Sequence, residues 1–229
     1  MINYKNVGKI YDNNVEAVKN INLRIPDGDF VFLVGESGSG KSTLIKLLMR
    51  ELKPTTGDII VNKKNLGKMR RFRVADYRRT LGIVFQDYKL LTDRSIYDNV
   101  ACAMKVAEAT TQEIRTRVPQ VLRQVGLGHK FKSFPNELSG GEQQRAAIAR
   151  AIVNKPTIIL ADEPTGNLDP RHAREIMKIL LDINEAGATV VVATHDRTLV
   201  DEMHKRVVQL KDGQIVRDSV EGSYDGNEI

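Results

Sequence analysis

The feature that most constrains this chain is the glycine-rich run Gly35-Glu36-Ser37-Gly38-Ser39-Gly40-Lys41-Ser42-Thr43, which directly follows the apolar stretch from Phe30 to Val34. The pattern Gly-x-x-x-x-Gly-Lys-Ser between a strand and a helix is typical of a phosphate-binding loop. Glycines let backbone N–H groups turn inward, and the helix N-terminus adds partial positive charge. We therefore predict that Gly35 to Thr43 bind a nucleoside triphosphate, with Lys41 reaching the β- and γ-phosphates and Ser42 holding Mg²⁺.

Two adjacent carboxylates follow a second apolar stretch, Ile158 to Ala161. Ligands of α/β proteins gather at the carboxyl ends of parallel strands, so Asp162 is predicted to hold Mg²⁺. Side chains of neighbouring residues alternate along an extended chain, so Glu163 is expected to point elsewhere. Glu163 is therefore the candidate general base for the attacking water.

Two more polar residues follow predicted strands. Gln86 comes after Leu81 to Phe85, and its amide can ligate Mg²⁺ or orient water. His195 follows Thr189 to Ala193 and can hydrogen-bond the γ-phosphate, either neutral or charged. A lone Gln or His in such a place is more often structural, so both functional interpretations depend on the nearby phosphate loop.

A second glycine-containing helix start lies at Leu138-Ser139-Gly140-Gly141-Glu142. One interpretation is an ordinary helix capped by Ser139. The other is a second anion site that uses the unhindered N–H donors of Gly140 and Gly141. One triphosphate does not obviously reach both sites of a single chain, so this interpretation implies two chains packed head to tail around it.

The net charge of +6 over 229 residues is concentrated in one segment. From Lys63 to Arg79 there are eight basic residues and one acid, Asp76. This segment is either a solvated surface or a contact for nucleic acid, anionic lipid or an acidic partner. No stretch reaches the roughly 18 apolar residues of a membrane span, and the single cysteine, Cys102, favours a reducing, cytoplasmic setting.

Apolar spacing predicts the order of the elements. Ala17, Ile21, Leu23 and Ile25 share one parity with Lys19, as in a half-buried strand, and a helix is expected from Lys41 to Glu51. Further helices are predicted near 95–105, 111–125 and 141–153, and another through Ile176 to Ile183. Strand-helix-strand succession implies parallel pairing with right-handed crossovers. Residues 219–229 are expected to be loosely ordered.

Taken together, these motifs resemble those of ABC-type ATPases along nearly the whole chain. The matching segments are the phosphate loop, the Q-loop glutamine Gln86, the signature Leu138 to Glu142, the Walker B run Ile158 to Glu163, the D-loop Asn167-Leu168-Asp169 and the switch histidine His195. The resemblance implies that Asp169 contributes to the nucleotide site and that Tyr11 stacks on adenine, with Tyr4 as a competitor. The signature ends in Glu142 where many members carry Gln, and we expect no loss of activity from this.

The resemblance also implies the fold class, an α/β phosphate-loop NTPase with a mostly parallel core sheet, an N-terminal antiparallel β part and an inserted helical subdomain. It implies one domain over 1–229, with 1–86 and 157–229 as the nucleotide-binding core and 87–156 as the helical signature subdomain. ATP and Mg²⁺ are the implied ligands, hydrolysis of ATP to ADP and phosphate is the implied reaction, and a homodimer is the implied ATP-bound state.

Finer detail resembles the branch of this family that serves bacterial cell division. The matching segments are Phe85 to Leu91, Asp93 to Ala101 and Val153 to Pro156. That branch implies a peripheral position at the cytoplasmic face of the cell membrane, a transmembrane partner and, through it, control of an extracellular cell-wall hydrolase and contact with division proteins. The alternative is a lipoprotein-releasing or macrolide-efflux type complex. Nucleic-acid-associated members carry long coiled-coil insertions or two fused cassettes, which this sequence lacks, so no nucleic-acid partner is expected.

Overall fold

The computed structural model describes residues 1–224 of the chain. The strands are β1 (Ile2–Ile10), β2 (Glu16–Ile25), β3 (Phe30–Val34), β4 (Thr56–Val61), β5 (Lys64–Asn65), β6 (Leu81–Phe85), β7 (Ile158–Asp162), β8 (Thr189–Ala193), β9 (Arg206–Lys211) and β10 (Gln214–Ser219). The helices are α1 (Lys41–Leu48), α2 (Arg73–Arg78), α3 (Ile96–Val106), α4 (Thr111–Gln124), α5 (Gly140–Ile152), α6 (Pro170–Glu185) and α7 (Arg197–Met203).

The larger sheet has six strands in the order β10-β9-β3-β8-β7-β6, and all of its pairs are parallel except β9 with β10. Strand β3 lies inside this sheet, and all five of its residues are buried. Its side chains divide by parity, Phe30 and Phe32 into one core cluster and Val31 and Leu33 into the other. Both faces of the strand are therefore covered, which explains its lack of polar alternation.

A second, antiparallel sheet has the order β2-β1-β4-β5. The predicted parity of β2 is wrong in its first half, because Val18 is fully buried whereas Lys19 is half-buried. Asn20 has a φ of +46°, and the pairing of β2 with β1 shifts register between Val18 and Ile21. An irregular residue of this kind moves the apolar set to the other parity. The fold class of two sheets with intervening helices is as predicted.

Helix α1 starts at Lys41 as predicted but ends earlier than Glu51. The helix ends at Leu48, three residues before the expected end and six before Pro54, and Arg50 has a left-handed φ of +57° that prevents it from continuing. The carbonyls at this end are satisfied by α2: the Tyr77 hydroxyl donates to Leu48 O at 2.7 Å, and Arg78 Nε donates to Met49 O at 2.9 Å. Two residues of the basic segment's helix thus have a structural role.

Helices α3, α4 and α5 all lie between β6 and β7 in the chain, close to the predicted bounds. Helix α4 begins with a capping box of Thr110 and Glu113. Helix α5 contacts β6 at Gly82, where an added Cβ would lie 2.8 Å from Ala151 O and 2.4 Å from Ile159 Cδ1. The absence of a side chain at Gly82 therefore lets the end of α5 approach the sheet closely.

The prediction of a loosely ordered tail is wrong for residues 219–224, and its remainder lies outside the described residues. Tyr224 is buried, and its backbone N–H donates to Asp201 Oδ1 at 2.6 Å. The guanidinium of Arg217 donates to the carbonyls of Ser223 and Tyr224. This segment is held by the burial of Tyr224 and by these hydrogen bonds, which its low content of apolar residues did not predict. Within residues 1–224, no helix is both long and apolar enough to cross a membrane.

Candidate nucleotide-binding site

The loop between β3 and α1 has the backbone shape that phosphate binding requires. Gly35, Gly38 and Gly40 have φ values of +145°, +81° and +106°, in the region that favours glycine. A Cβ at Gly35 would lie 2.3 Å from Leu210 O, whereas at Gly38 it would meet nothing within 4 Å. The loop is thus packed against the sheet on one side and open on the other.

The open side faces a cavity of about 500 Å³. Its lining brings together nine of the residues predicted from sequence: Ser37, Gly38, Gly40, Lys41, Ser42, Thr43, Gln86, Glu163 and His195. Gly35 and Glu36 contribute their carbonyl oxygens to the loop, and Ser39 is buried beneath it. We expect the phosphates of a bound nucleotide to lie in this cavity.

Lys41 is held by its own loop. Its ammonium donates to Gly35 O at 2.6 Å and to Glu36 O at 2.9 Å. Burial lowers the pKa of Lys41, while the nearby carboxylates of Glu163 and Asp162 act in the opposite direction. The neutral carbonyls compensate the positive charge of the buried ammonium only in part. Negatively charged phosphate oxygens would form stronger, charge-assisted hydrogen bonds with it, so Lys41 and the N–H groups of the loop favour an anion here.

Asp162 ends β7 and accepts a hydrogen bond from Ser42 Oγ at 3.1 Å. Burial is the main cause that raises the pKa of Asp162, and the charge of Glu163 adds to it, whereas the bond from Ser42 opposes it. A carboxylate next to a hydroxyl is a ligand pair suited to Mg²⁺ that also binds phosphate. Among residues 1–224, no cluster of three or more His, Cys, Asp or Glu side chains could hold a metal by itself.

Glu163 lines the cavity, but the alternation of side chains expected from an extended chain does not apply to it. The chain is not extended there, because Glu163 has a left-handed φ of +49°. Its Oε2 lies 2.9 Å from His195 Nδ1, and its side chain is 16% exposed against 66% for His195. The carboxylate therefore faces the cavity with the imidazole beside it, a geometry that suits a base for water.

Gln86 follows β6 and enters the cavity beside the loop after Glu163. A Cβ at Gly166 would lie 2.9 Å from Gln86 Nε2, and Asn167 Nδ2 donates to Gln86 O at 3.3 Å. The glutamine amide therefore packs closely on the backbone of that loop. This places it near both Asp162 and Glu163 at the edge of the sheet where β6 and β7 end.

Of the two aromatic candidates, only Tyr11 lies at the site. Its hydroxyl is 3.2 Å from Thr43 Oγ1, and the Lys9 ammonium lies 5.7 Å from the centre of its ring. Tyr4 is 2% exposed, and its hydroxyl donates to Leu44 O at 3.1 Å. The competitor is therefore a core residue, which leaves Tyr11 as the candidate for stacking on a base.

The signature residues do not reach this cavity. Ser139, Gly140, Gly141 and Glu142 start α5, where Ser139 Oγ accepts from Glu142 N at 3.3 Å and Ser139 N donates to Glu142 Oε2 at 2.9 Å. The bond from the Ser139 N–H lowers the pKa of Glu142. None of the four lines the cavity. The structure thus contains the helix capped by Ser139. Within one chain, the N-terminus of α5 lies apart from the cavity of the phosphate loop.

Asp169 lies next to the signature rather than in the cavity. It caps α6, accepting from Arg171 N at 3.1 Å and His172 N at 3.2 Å, and it also contacts His172 Nδ1. The hydrogen bond from the His172 ring is the largest cause of the lowered pKa of Asp169. Because a Cβ at Gly141 would lie 2.8 Å from His172 Cδ2, Asp169 and the signature form one surface.

A test of fit for a phosphate ligand comes from Ser39. Its hydroxyl is buried and, within the described part of the chain, has no hydrogen-bond partner. An orphaned buried hydroxyl under a glycine loop, together with open N–H donors, fits an anionic group seated on that loop. Mg²⁺ would be held by Ser42, Asp162 and Gln86, whose hydroxyl, carboxylate and amide oxygens are the hard donors it prefers.

One residue of this region, Gln144, was not predicted from the sequence. It lies on α5, on the same face of the helix as the buried residues Ala147, Ile148 and Ala151, which follow it at the spacing i+3, i+4 and i+7. A glutamine on an otherwise apolar helix face was the available signal. Gln144 donates to the backbone that follows Glu163, at Pro164 O, and so belongs to the surroundings of the site.

The loop, the cavity and the fold together define an ATPase cassette, and the chain belongs to the ABC transporter family, whose family model matches residues 18–166. Relatives that span the whole chain include two proteins named cell division ATP-binding protein FtsE. The Bacillus subtilis one is 50% identical over 224 residues, 98% of this chain and 98% of the relative. The Mycobacterium tuberculosis one is 50% identical over 225 residues, again 98% of each.

A solved structure gives the same result at the level of the fold. It is described as a dimeric, post-hydrolysis state of the ATP-binding cassette MJ0796 bound to ADP and Pi. It superposes with a TM-score of 0.87 at 37% identity and covers 96% of this chain and 98% of its own. The resemblance to ABC-type ATPases and to their cell-division branch is thus confirmed, and the lipoprotein-releasing or macrolide-efflux alternative is not favoured.

Proposed function

We propose that this chain hydrolyses ATP as the ATPase subunit of a bacterial FtsEX-type cell-division complex. The observation that carries the chemistry is the pair Glu163 and His195, 2.9 Å apart at a cavity that also contains Lys41. The FtsE relatives support the biological role. In this role the chain lies at the cytoplasmic face of the cell membrane, where ATP-driven closure moves a transmembrane FtsX-like partner.

The reaction follows from the placed groups. The N–H groups of the phosphate loop and the ammonium of Lys41 bind the β- and γ-phosphates. Lys41 then donates to charged phosphate oxygens instead of the carbonyls of Gly35 and Glu36. Glu163 accepts a proton from water as the water oxygen bonds to the γ-phosphorus and the bond from that phosphorus to the β,γ-bridging oxygen breaks. ADP leaves with that oxygen. Mg²⁺, when bound, would neutralise negative charge on the phosphates.

His195 and Gln86 orient this chemistry. The His195 imidazole lies next to Glu163, with Nδ1 2.9 Å from Oε2, and its other nitrogen can donate to a γ-phosphate oxygen when that nitrogen carries the proton. Gln86 presents its amide to the same space and can hold the attacking water. Tyr11 stacks on adenine beside Thr43.

The signature completes the site of a second copy. Ser139, Gly140 and Gly141 lie outside their own chain's cavity, so they are available to the triphosphate of a partner cassette. We place Glu142 and Asp169 on the same dimer surface. Two identical chains then close on two ATP molecules, and each contributes its helix start to the other's γ-phosphate.

The hydrolysis proposal is tested by Glu163→Gln. The amide cannot accept the proton, so steady-state ATP turnover should fall by about 100-fold or more while ATP binding persists. Exposed Glu185 at the end of α6 provides the matched control, since Glu185→Gln makes the same chemical change away from the cavity. Turnover by Glu163→Gln at the wild-type rate would remove Glu163 from the role of base.

The partner proposal is tested by recovery from solubilised membranes. Tagged Glu163→Gln with ATP and Mg²⁺ should capture an FtsX-like membrane protein, with division or cell-wall proteins behind it, as identified by mass spectrometry. Lys41→Ala, which lacks the phosphate-binding ammonium, is the control for capture that does not depend on ATP. Recovery of an efflux or lipoprotein permease instead would overturn the cell-division role and leave the ATPase intact.

A further inference from the structure

Gln144 is a polar side chain enclosed by the core. Its exposure is 0%, and it shares the buried face of α5 with Ala147, Ile148 and Ala151. A buried amide loses its hydration and gains little from apolar neighbours, so its hydrogen bonds decide whether it can be accommodated. The partners of Gln144 therefore matter more than its surroundings.

Those partners are the backbone carbonyls beside two predicted catalytic residues. Gln144 Nε2 donates to Pro164 O at 2.6 Å and to Phe85 O at 3.4 Å. Pro164 directly follows Glu163, and Phe85 directly precedes Gln86. Its Oε1 is buried and, among residues 1–224, finds no partner, so the donor nitrogen makes the contacts. One amide group thus connects α5 to the ends of β6 and β7.

The backbone that Gln144 holds is strained. Glu163 is a non-glycine residue with a φ of +49°, and it precedes a proline, which favours an extended conformation at that position. Such a conformation persists only where the surroundings fix it, and it is found at functional sites. Glu163 N donates to Ala193 O at 2.9 Å, and Gly166 N donates to Glu163 O at 3.2 Å. The bond from Gln144 to Pro164 O is the contribution of α5.

We propose that Gln144 is a positioning residue for ATP hydrolysis, holding Glu163 and Gln86 in their places at the cavity through the carbonyls of Pro164 and Phe85. This inference rests on the proposed function. Gln144 does not line the cavity, and its amide donates to the backbone beside Glu163 and Gln86. Its loss therefore displaces Glu163 and Gln86, while the phosphate loop and Lys41, which hold the triphosphate, keep their places. The expected signature is a lower kcat at an unchanged KM.

The test compares Gln144→Met with a matched variant. Methionine has nearly the same shape but cannot donate, and we expect kcat to fall about 10-fold or more with KM for ATP within about threefold. Asn184 is the control because its Nδ2 likewise donates to two carbonyls, Gly28 O at 2.9 Å and Ala188 O at 2.8 Å, and none of these three residues lines the cavity. Asn184→Leu should lower Tm and leave kcat within about twofold.

A second variant adds a pH readout. In Gln144→Glu, a protonated carboxyl can donate to Pro164 O, whereas a carboxylate cannot. The kcat of Gln144→Glu relative to wild type should therefore rise as pH falls, while the same ratio for Gln144→Met stays flat. Because both ratios are taken at temperatures well below each Tm, loss of folded protein does not contribute.

Three results would overturn the inference: Gln144→Met with kcat within about twofold of wild type, an equal kcat loss in Asn184→Leu, or identical pH dependence of the two Gln144 variants. Each is distinct from failure of the proposed function. A wild-type chain whose turnover is absent or insensitive to Glu163→Gln would overturn hydrolysis itself, whatever the Gln144 variants do.

Discussion

Two residues of the site, Lys41 and Asp162, have ionisable groups that folding partly removes from water. Burial lowers the pKa of Lys41 and raises the pKa of Asp162, so each charged form is disfavoured in the nucleotide-free chain. Bringing phosphate to Lys41 and a cation to Asp162 removes both penalties. The site is therefore less stable empty than occupied, and ligand binding should stabilise the fold.

The buried charge of Asp162 leads to a prediction for Asp162→Asn. Folding raises the pKa of the Asp162 carboxyl above its ordinary value of 3.8. The carboxyl therefore lowers the stability of the folded protein as pH rises from 3.8 through the raised pKa, and the full penalty applies above that range. The variant should therefore have a higher Tm than wild type at pH 7 without nucleotide, and the gain should shrink as pH is lowered toward 4. Thermal unfolding against pH measures it.

Exposed Asp182 on α6 is the matched control, because Asp182→Asn removes a carboxylate that is already solvated. Its Tm should stay close to that of wild type across the same pH range. A lower Tm for Asp162→Asn at pH 7 would mean that the attraction between Asp162 and Lys41 outweighs the cost of burying the carboxylate, and it would contradict the prediction.

At this scale the sequence predicted which residues meet but not how. Motif spacing brought Lys41, Ser42, Gln86, Glu163 and His195 to one edge of the sheet, and the structure lines one cavity with them. The left-handed backbone of Glu163 could not be predicted, since it depends on contacts from β8 and α5 that are distant in sequence. Tyr11 was predicted to stack on adenine with Tyr4 as a competitor, and only the packing of the fold, which buries Tyr4, separates the two.

At the scale of elements, helix positions followed from apolar spacing and caps, whereas strand and helix ends did not. The apolar period of α5 and the cap at Ser139 were predicted from the chain, and the structure adds Glu142 as the second member of a capping box. The end of α1 at a left-handed Arg50 and the irregularity at Asn20 in β2 were not, because neither residue is a glycine or proline that marks a break. Long-range contacts with α2 and β1 fix both.

The contact of α5 with β6 provides a prediction at this scale. In Gly82→Ala the new methyl would lie 2.8 Å from the carbonyl of Ala151, so the end of α5 must move away from the sheet. We expect a loss of about 1–3 kcal/mol in the free energy of unfolding, as for other overpacked sites. Denaturant unfolding measures it.

Gly67 provides the comparison, because a Cβ there would lie 3.3 Å from the Asn65 Oδ1 atom and is free of backbone contact. Gly67→Ala should change stability by no more than about 0.5 kcal/mol. Equal effects of the two substitutions would show that the close approach of α5 to β6 is not what makes Gly82 necessary.

At the scale of the whole molecule, the arrangement is incomplete in one chain. The phosphate loop faces a cavity, and the signature that would close it starts a helix elsewhere on the surface. The sequence predicted two copies for this reason, and the structure keeps the two motifs apart. The related cassette bound to ADP and Pi is dimeric. We expect ATP to join two chains because each site then gains a second set of N–H donors.

The most direct test of ATP-driven pairing is the mass of Glu163→Gln in solution, measured by light scattering after gel filtration with and without ATP and Mg²⁺. We predict a single chain of 25.7 kDa without nucleotide and twice that mass with it, while Lys41→Ala remains a single chain in both. A mass of 25.7 kDa for Glu163→Gln with ATP bound would contradict the central claim that two copies of this chain close on the nucleotide.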